Sequence, residues 1–437
     1  MSANLRKFVT SPGSRVAGEI GVPGDKSISH RVAMLAAVAA GDSEISGYLE
    51  ADDCLATLAA LAELGVRVER LGAGSLRIHG VGLQGLAAPR AALELGNSGT
   101  SMRLLAGLLA GQAFDSVLVG DASLMRRPME RVAAPLRRMG GDVRTQDGRP
   151  PITIRGHRKL TGCSHALEDP SAQIKSALLL AGLQATGRTS VHEPSTSRDH
   201  TERLLPTFGV PVFRDDGAVA IDGPARLSAA QVEVPGDFSS AAYFIVAGLI
   251  AGRSPLVIRG VGVNPTRTAL LDILRQMGGD IRMHPAASAA SEPRADIEVR
   301  PSALRGVAVP ESHVPIAMDE LPVLFAAAAV AEGDTLVTGA GELRVKESDR
   351  LNAMATGLES LGVAVERLTD GLRVRGGVVR GGIVDSQGDH RVAMAFAVLG
   401  ACANGPIAIR DVQNVATSFP GFAQTARAAG LQLAEEG

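Results

Sequence analysis

Tryptophan is absent from this 437-residue chain, and aromatic residues of every kind make up 3% of it. That scarcity removes the stacking platforms on which single-stranded nucleic acids lie. Neither sign of charge prevails: 44 Lys and Arg against 46 Asp and Glu leave a formal net charge of −2. Nucleic acids and anionic membranes need a broad basic face, so neither is expected as a partner. Any anion site has to be a local gathering of Lys and Arg. Cysteine is sparse, and Cys54, Cys163 and Cys402 lack disulfide or metal spacing. An odd, scattered set fits a reducing compartment, and a cytoplasmic location is expected. Long apolar runs are missing as well. AAYFIVAGLIAG (241–252) spans 12 residues, whereas a membrane helix needs about 20. The opening MSANLRKFVTSPGSR has no apolar signal core. No GxxxxGK[ST] loop, GxGxxG turn, HExxH helix or Cys/His cluster occurs, so neither a metal nor a cofactor is expected.

Repetition is what the chain has in quantity. A polar cluster leads into an Ala/Leu-rich run at GDKSISHRVAMLAAVAAG (24–41), GNSGTSMRLLAGLLAG (96–111) and DPSAQIKSALLLAGLQATG (169–187). The same happens at GDFSSAAYFIVAGLIAG (236–252), MDELPVLFAAAAVAEG (318–333) and GDHRVAMAFAVLGACANG (388–405). These runs are apolar nearly all round and read as buried helices, each ending on a Gly C-cap. Between them lie more amphipathic helices, at 52–70, 127–145, 198–205, 264–283 and 346–367. Several pass through Gly into an alternating V-x-V strand. The chain is too long for one ordinary core. Six repeats of two helices and short strands suggest two domains of three repeats, with buried helices inside and sheets outside. The near-duplicate frames at 22 and 234 mark the start of each triplet.

The polar clusters admit a plain reading: Asp25, Asn97, Ser171, Asp237, Asp319 and Asp389 cap helices and do nothing else. The cations beside them do not fit it. Lys26, Arg31, Arg103, Arg127, Arg198, Lys346, Arg350 and Arg391 sit at or near helix starts, where a positive charge opposes the dipole. Bound anions carrying phosphate and carboxylate would offset that cost, and the planar guanidinium fork suits both groups. LRVKESDR (343–350) places Lys346 and Arg350 four apart on one helical face, with Glu347 beside them. A surface ion-pair motif explains that spacing equally well. Asp319 opens an otherwise uncharged helix beside Glu320. His30 reads as an ordinary, partly exposed ring, while His390 beside Arg391 is harder to set aside.

GDKSISHR, LGNSGTSMR, RPM, DPSAQIKSA, SRDHTE, LRVKESDR, GDHRVAM and TSFPGF, in that order, resemble the 5-enolpyruvylshikimate-3-phosphate synthase family. The likeness runs from about residue 15 to 422. RPM, TSRDHTE and ELRVKESDR resemble its glyphosate-tolerant bacterial branch. The resemblance implies a two-domain inside-out α/β barrel fold with three βαβαββ-type repeats per domain. One domain would be 25–236, the other 1–24 with 237–437, and the active site the cleft between them. The expected substrates are shikimate 3-phosphate and phosphoenolpyruvate, the expected assembly a monomer.

Family roles carry over onto matching positions. Lys26, Ser27, Arg31, Ser171, Ala172, Gln173, Arg198, Asp319 and Lys346 would hold shikimate 3-phosphate. Lys26, Gly99, Arg127, Gln173, Arg350 and Arg391 would hold phosphoenolpyruvate. Asp319 would be the base for the 5-hydroxyl, and Glu347 with Lys26 would move the proton at the enolpyruvyl methylene. Two cation-rich faces should repel each other until the substrates draw them together. Two departures stand out. The enteric branch has a Lys before its final T-F-P, where this chain has Thr417. Strongly tolerant members carry Ala at Gly99, so this chain is expected to be inhibited by glyphosate. The sister family, UDP-N-acetylglucosamine enolpyruvyl transferase, fits less well: its usual Cys is Ala122 here, and GDKSISHR differs from its Lys-Asn opening.

Overall fold

The computed structural model describes residues 6–437 except 158, 216 and 287–290, so part of the opening segment read for a signal core lies outside the described residues. Numbered in chain order, the nearly all-apolar helices are α1 (Lys26–Ala37), α3 (Gly99–Leu109), α5 (Ala172–Gly182), α7 (Phe238–Ala251), α10 (Leu321–Ala328) and α12 (His390–Leu399). The amphipathic ones are α2 (Asp52–Glu63), α4 (Glu130–Arg138), α6 (His200–Thr207), α8 (Ala269–Gln276), α11 (Arg350–Ser360) and α13 (Phe422–Ala428). A single turn, α9 (Val314–Ala317), precedes α10. The first class is buried as its composition demands. Every residue from Ile28 to Ala37 and from Leu321 to Ala328 is shielded from solvent.

The glycine ends fall differently from expectation. Among the buried helices, Gly occupies the C-cap only in α7 and α12, and at negative φ. The left-handed glycines follow the amphipathic helices instead. Gly65, Gly140, Gly209, Gly278, Gly362 and Gly430 each stand just past such a helix with φ between 82° and 97°. In the first, the amide of Gly65 reaches the carbonyl of Ala62 and that of Val66 reaches Leu61, the paired bonds of a Schellman turn. An amphipathic helix has a strand to feed on its own sheet, so its exit angle has to be set. α13, which the sequence reading did not single out, is the sixth of these.

Each repeat adds a small sheet of one recurring design. In the first, Gln231–Glu233 runs parallel to Ala40–Ser46, which pairs antiparallel with Ser75–Val81, and that strand with Arg67–Gly72. Five sheets follow this four-stranded order. The sixth, around Leu372–Arg375, has three strands and retains only isolated parallel bridges, such as Ala308 to Leu336, at the fourth position. Some strands come from far along the chain. Val16–Gly21 is the parallel edge strand for Gly252–Gly262, and Lys7–Thr10 lies between Ile407–Arg410 and Leu433–Glu436.

Those distant pairings take the chain from one unit into the other after Pro23 and back after Val234. Among the described residues, Gly24–Val234 with Ser291 and Glu292 form a first compact unit and the remainder a second. Each unit has its own continuous apolar core. In the first, α3 and α5 pack so closely that a methyl on Gly107 would stand 2.1 Å from the carbonyl oxygen of Ala177. In the second, five of the chain's twelve rings are pooled: Phe8, Tyr243, Phe244, Phe419 and Phe422 pack tilted or edge-on at centroid spacings of 5.5–6.2 Å. The TSFPGF motif thus serves packing through its two Phe side chains.

Candidate active site

In the first unit the polar clusters do cap helices, and they do more. Asp25 is extended and accepts from the Ile28 amide at 2.9 Å. Ser171 caps α5 in the same way. At α3 the cap is Ser98, not Asn97. Asn97 stands one residue too early, and its amide instead bridges the Arg127 guanidinium and Asp121.

With capping assigned to these oxygens, the cations of the first turns are held by other elements. Lys26 forms an ion pair with Asp53 at the head of α2. Arg31 is buried and donates to Thr201 of α6 at 2.9 Å, Ser176 of α5 at 2.8 Å and the Ser27 carbonyl at 2.8 Å. Burial pulls its pKa down to about 10, against the opposing pull of Glu202 and Asp25, so it stays charged at neutral pH. Arg103 donates to the Gln173 side-chain oxygen at 2.7 Å, and the Gln173 amide donates to Thr100 at 2.9 Å. A methyl built on Gly99 would lie 2.9 Å from Arg103 Nη1 and 3.1 Å from Arg127 Nη1. Lys26, Ser27, Arg31, Gly99, Ser171, Ala172 and Gln173 therefore share the interlinked first turns of α1, α3 and α5. Arg127 and Arg198 sit on the segments leading into α4 and α6.

His30 differs from its reading. It is fully buried, with Nδ1 2.7 Å from the Thr57 hydroxyl, which continues through Ser101 to Ser98 at 2.6 Å each. Burial, reinforced by Lys26 and Arg31, holds its pKa well below the usual value, so the ring is neutral. His30 belongs to the core because α1 is shielded on all sides.

In the second unit, Asp319 is not the cap of the helix it precedes; that position falls to Glu320. α10 begins at Leu321, and the carboxylate of Asp319 lies between two arginines, 3.5 Å from Arg350 Nη1 and 3.4 Å from Arg391 Nη2. Arg391 also donates to the Asp319 carbonyl at 2.9 Å. Arg350 is 1% exposed and serves three carboxylates: Asp319, Glu347, and Asp389 at 2.8 Å. Burial would lower the pKa of both arginines, yet the facing carboxylates outweigh it and raise them. Asp389 shows the mirror effect: burial would raise its pKa, but Arg350 and His390 bring it down. Asp389 also accepts from the Arg391 amide at 2.9 Å, capping α12 with one oxygen and holding Arg350 with the other.

Lys346 and Arg350 do not share a helical face. A 3-10 turn, Gly341–Val345, ends before Lys346, and α11 starts at Arg350. The break lets Glu347 fold back onto Arg350 while Lys346 pairs with Glu342 at 2.8 Å. The near-copy frame at 234–241 also has a defined task. Asp237 caps α7, and Ser239 joins the buried Arg267 at 2.8 Å to Glu320. Thr417 turns its hydroxyl back onto the Asn414 carbonyl at 2.7 Å, and 411–421 contains no Lys or Arg.

These pairings revise the expected electrostatics. The second half-site is not a bare positive rim, because Asp319, Glu320, Glu347 and Asp389 face Arg350 and Arg391. The first is richer in cations. Sequence reasoning missed Asp53 and took Asn97 and Asp389 for simple caps. The Asp52-Asp53 pair was the available signal for the first, but an acidic pair opening a helix is ordinary.

The sequence profile of EPSP synthase (3-phosphoshikimate 1-carboxyvinyltransferase) matches residues 10–426. The 3-phosphoshikimate 1-carboxyvinyltransferase of Methylococcus capsulatus is 54% identical over 427 residues, 98% of each chain. That of Nitrosococcus oceani is 53% identical over 434 residues, 99% of this chain and 98% of its own. An EPSP synthase structure from Acinetobacter baumannii superposes with a TM-score of 0.90 at 47% identity, covering 99% of this chain and 100% of that one. The enolpyruvyl transferase NikO of Streptomyces tendae, at 19% identity and a TM-score of 0.79, shares the fold. Sequence profile, near-full-length relatives and backbone agree: this chain belongs to the EPSP synthase family of two-domain α/β enolpyruvyl transferases.

Proposed function

We propose that the two half-sites act together on one pair of substrates. The reaction is the family's: the enolpyruvyl group of phosphoenolpyruvate passes to the 5-hydroxyl of shikimate 3-phosphate, and phosphate leaves. Asp319 takes the hydroxyl proton as the oxygen attacks C2 of phosphoenolpyruvate. Lys26 and Glu347 deliver a proton to C3, giving a tetrahedral intermediate. Removal of a C3 proton then restores the double bond as the C2–O bond to phosphate breaks. Two acid–base groups on opposite sides of the reacting carbon are needed, each within about 3 Å of its proton.

The observation that carries this reading is Arg350. One buried guanidinium holds Asp319 and Glu347 on separate nitrogens, with Asp389 behind it. A fixed, dry cation spacing two carboxylates is a preorganised acid–base pair. Arg127, Arg391 and Gln173, with the backbone at Gly99, are assigned to phosphoenolpyruvate together with Arg350. Ser27, Arg31, Ser171, Ala172, Arg198 and Lys346 are assigned to shikimate 3-phosphate. The two compact units are taken as the two domains.

A coupled phosphate-release assay with both substrates tests the activity. Asp319→Ala should abolish turnover and leave shikimate 3-phosphate binding measurable by calorimetry; binding without turnover in the wild type would overturn the enzyme reading. Assignment to the glyphosate-tolerant branch rests on RPM, TSRDHTE and ELRVKESDR, whereas Gly99 points to inhibition by glyphosate. Full activity at millimolar glyphosate would refute that inhibition. Among the described residues no helix is long and apolar enough to cross a membrane, and the three cysteines are free, which supports a cytoplasmic setting. A monomer is the proposed assembly, and sedimentation checks it.

A further inference from the structure

Behind the first half-site lies a buried ionic cluster that the proposed chemistry leaves unused. Glu193 follows the strand Gly187–His192, with its side chain 8% exposed. Its Oε1 accepts from the Ser171 amide at 2.8 Å and the Ser197 hydroxyl at 2.7 Å. Its Oε2 accepts from Lys175 Nζ at 2.7 Å and stands 2.8 Å from the same hydroxyl. Lys175 is equally buried and also meets Glu202 at 2.9 Å. Burial would lower the pKa of Lys175, but Glu202 and Glu193 more than offset this and it stays charged.

The connectivity gives the cluster a purpose. Ser171, Ala172 and Gln173 form the head of α5, and Arg198 follows Ser197 directly. Glu193 therefore ties the head of α5 to the loop that bears Arg198. Residues 194–196 of that loop are exposed. A cavity of about 500 Å³ lies against it, lined by Pro194, Ser195, Thr196 and Ser197 among others. Without the carboxylate the loop has room to move, and Arg198 with it.

We propose that Glu193 is a positioning residue for shikimate 3-phosphate: it sets the spacing between the head of α5 and Arg198 and touches no reacting atom. This rests on the functional reading above. An ionised carboxylate accepts on both oxygens and three donors meet it here; an amide has one oxygen and turns donors toward Ser171 or Lys175.

The test is steady-state phosphate release with each substrate varied in turn. Charge-assisted bonds of this kind are worth a factor of about ten or more, so Glu193→Gln should raise KM for shikimate 3-phosphate about tenfold. The kcat and the KM for phosphoenolpyruvate should stay within about twofold, because ground-state binding of one substrate is what is lost. Glu193→Asp, which keeps the charge on a shorter arm, should fall between. Ser197→Ala removes one donor and leaves the Ser171 and Lys175 bonds to the carboxylate, so it should raise the same KM less, about threefold. It also serves as the readout if Glu193→Gln does not fold. An unchanged KM for shikimate 3-phosphate in the folded variants overturns the proposal. So does a fall in kcat and Tm with both KM values rising together, which would mark a purely structural role. A wild type that releases no phosphate overturns the functional reading instead.

Discussion

Adding one methyl at Gly99 should separate phosphoenolpyruvate from its competitor glyphosate. The Cβ of Gly99→Ala would lie 2.9 Å from Arg103 Nη1 and 3.1 Å from Arg127 Nη1. Ordinary contact needs about half an ångström more, so one or both guanidinium groups must retreat by roughly that much. Arg103 is tethered to the Gly99 carbonyl, Gln173 and the Pro128 carbonyl, and Arg127 to Asn97. Any retreat of Arg127 would carry its proposed phosphoenolpyruvate contact with it. A displacement near 1 Å in a positioned group costs about a hundredfold, so half of that should cost phosphoenolpyruvate about tenfold in kcat/KM. Glyphosate is expected to be crowded by the methyl more than phosphoenolpyruvate is. A methyl-sized clash adds roughly 1–3 kcal/mol, a further loss of about 10- to 200-fold in inhibition. The assay is phosphate release across a glyphosate titration, for wild type and Gly99→Ala, with a thermal melt to confirm folding. Equal losses for substrate and inhibitor would refute the reasoning, as would no change in either.

Asp389→Ala removes one partner from the fully buried Arg350 and should cost about 3–5 kcal/mol of unfolding free energy, read by urea titration; a loss under 1 kcal/mol would show that Arg350 needs no such anchor. Gly107→Ala forces α3 away from α5 and should destabilise by about 1–3 kcal/mol without a selective effect on either KM. His30 sets a pH dependence. Its folded pKa lies below the unfolded value of about 6.5, so the unfolded chain binds the extra proton as pH falls. Its contribution is therefore complete above about pH 6.5 and declines below it, by about 1.4 kcal/mol per pH unit. His30→Gln should flatten the stability–pH slope between pH 6.5 and 5; an identical slope would remove His30 as the cause.

The repeats were legible because they are local. An apolar run buried on all sides, a polar residue ahead of it, and a Gly-to-strand exit after the amphipathic partner are written within about 20 residues of chain. The family motifs were equally legible, and they named the cations that gather at the helix starts. Three-dimensional packing decided which carboxylate answers each cation. Asp53 is 27 residues from Lys26, and Asp389 is 39 from Arg350. No periodicity links such positions; the contact exists because the first turns of different helices converge. For the same reason Ser98 took the capping role from Asn97, and a break before α11 parted Lys346 from Arg350. One peptide unit of offset decides which oxygen meets a free amide, and that depends on where the backbone leaves the preceding strand. His30 became a core residue because the helices around α1 close over it. Hydrophobic pattern determines what must be buried; only the packed arrangement determines which charges meet, because ion pairs across sequence gaps follow geometry and not spacing.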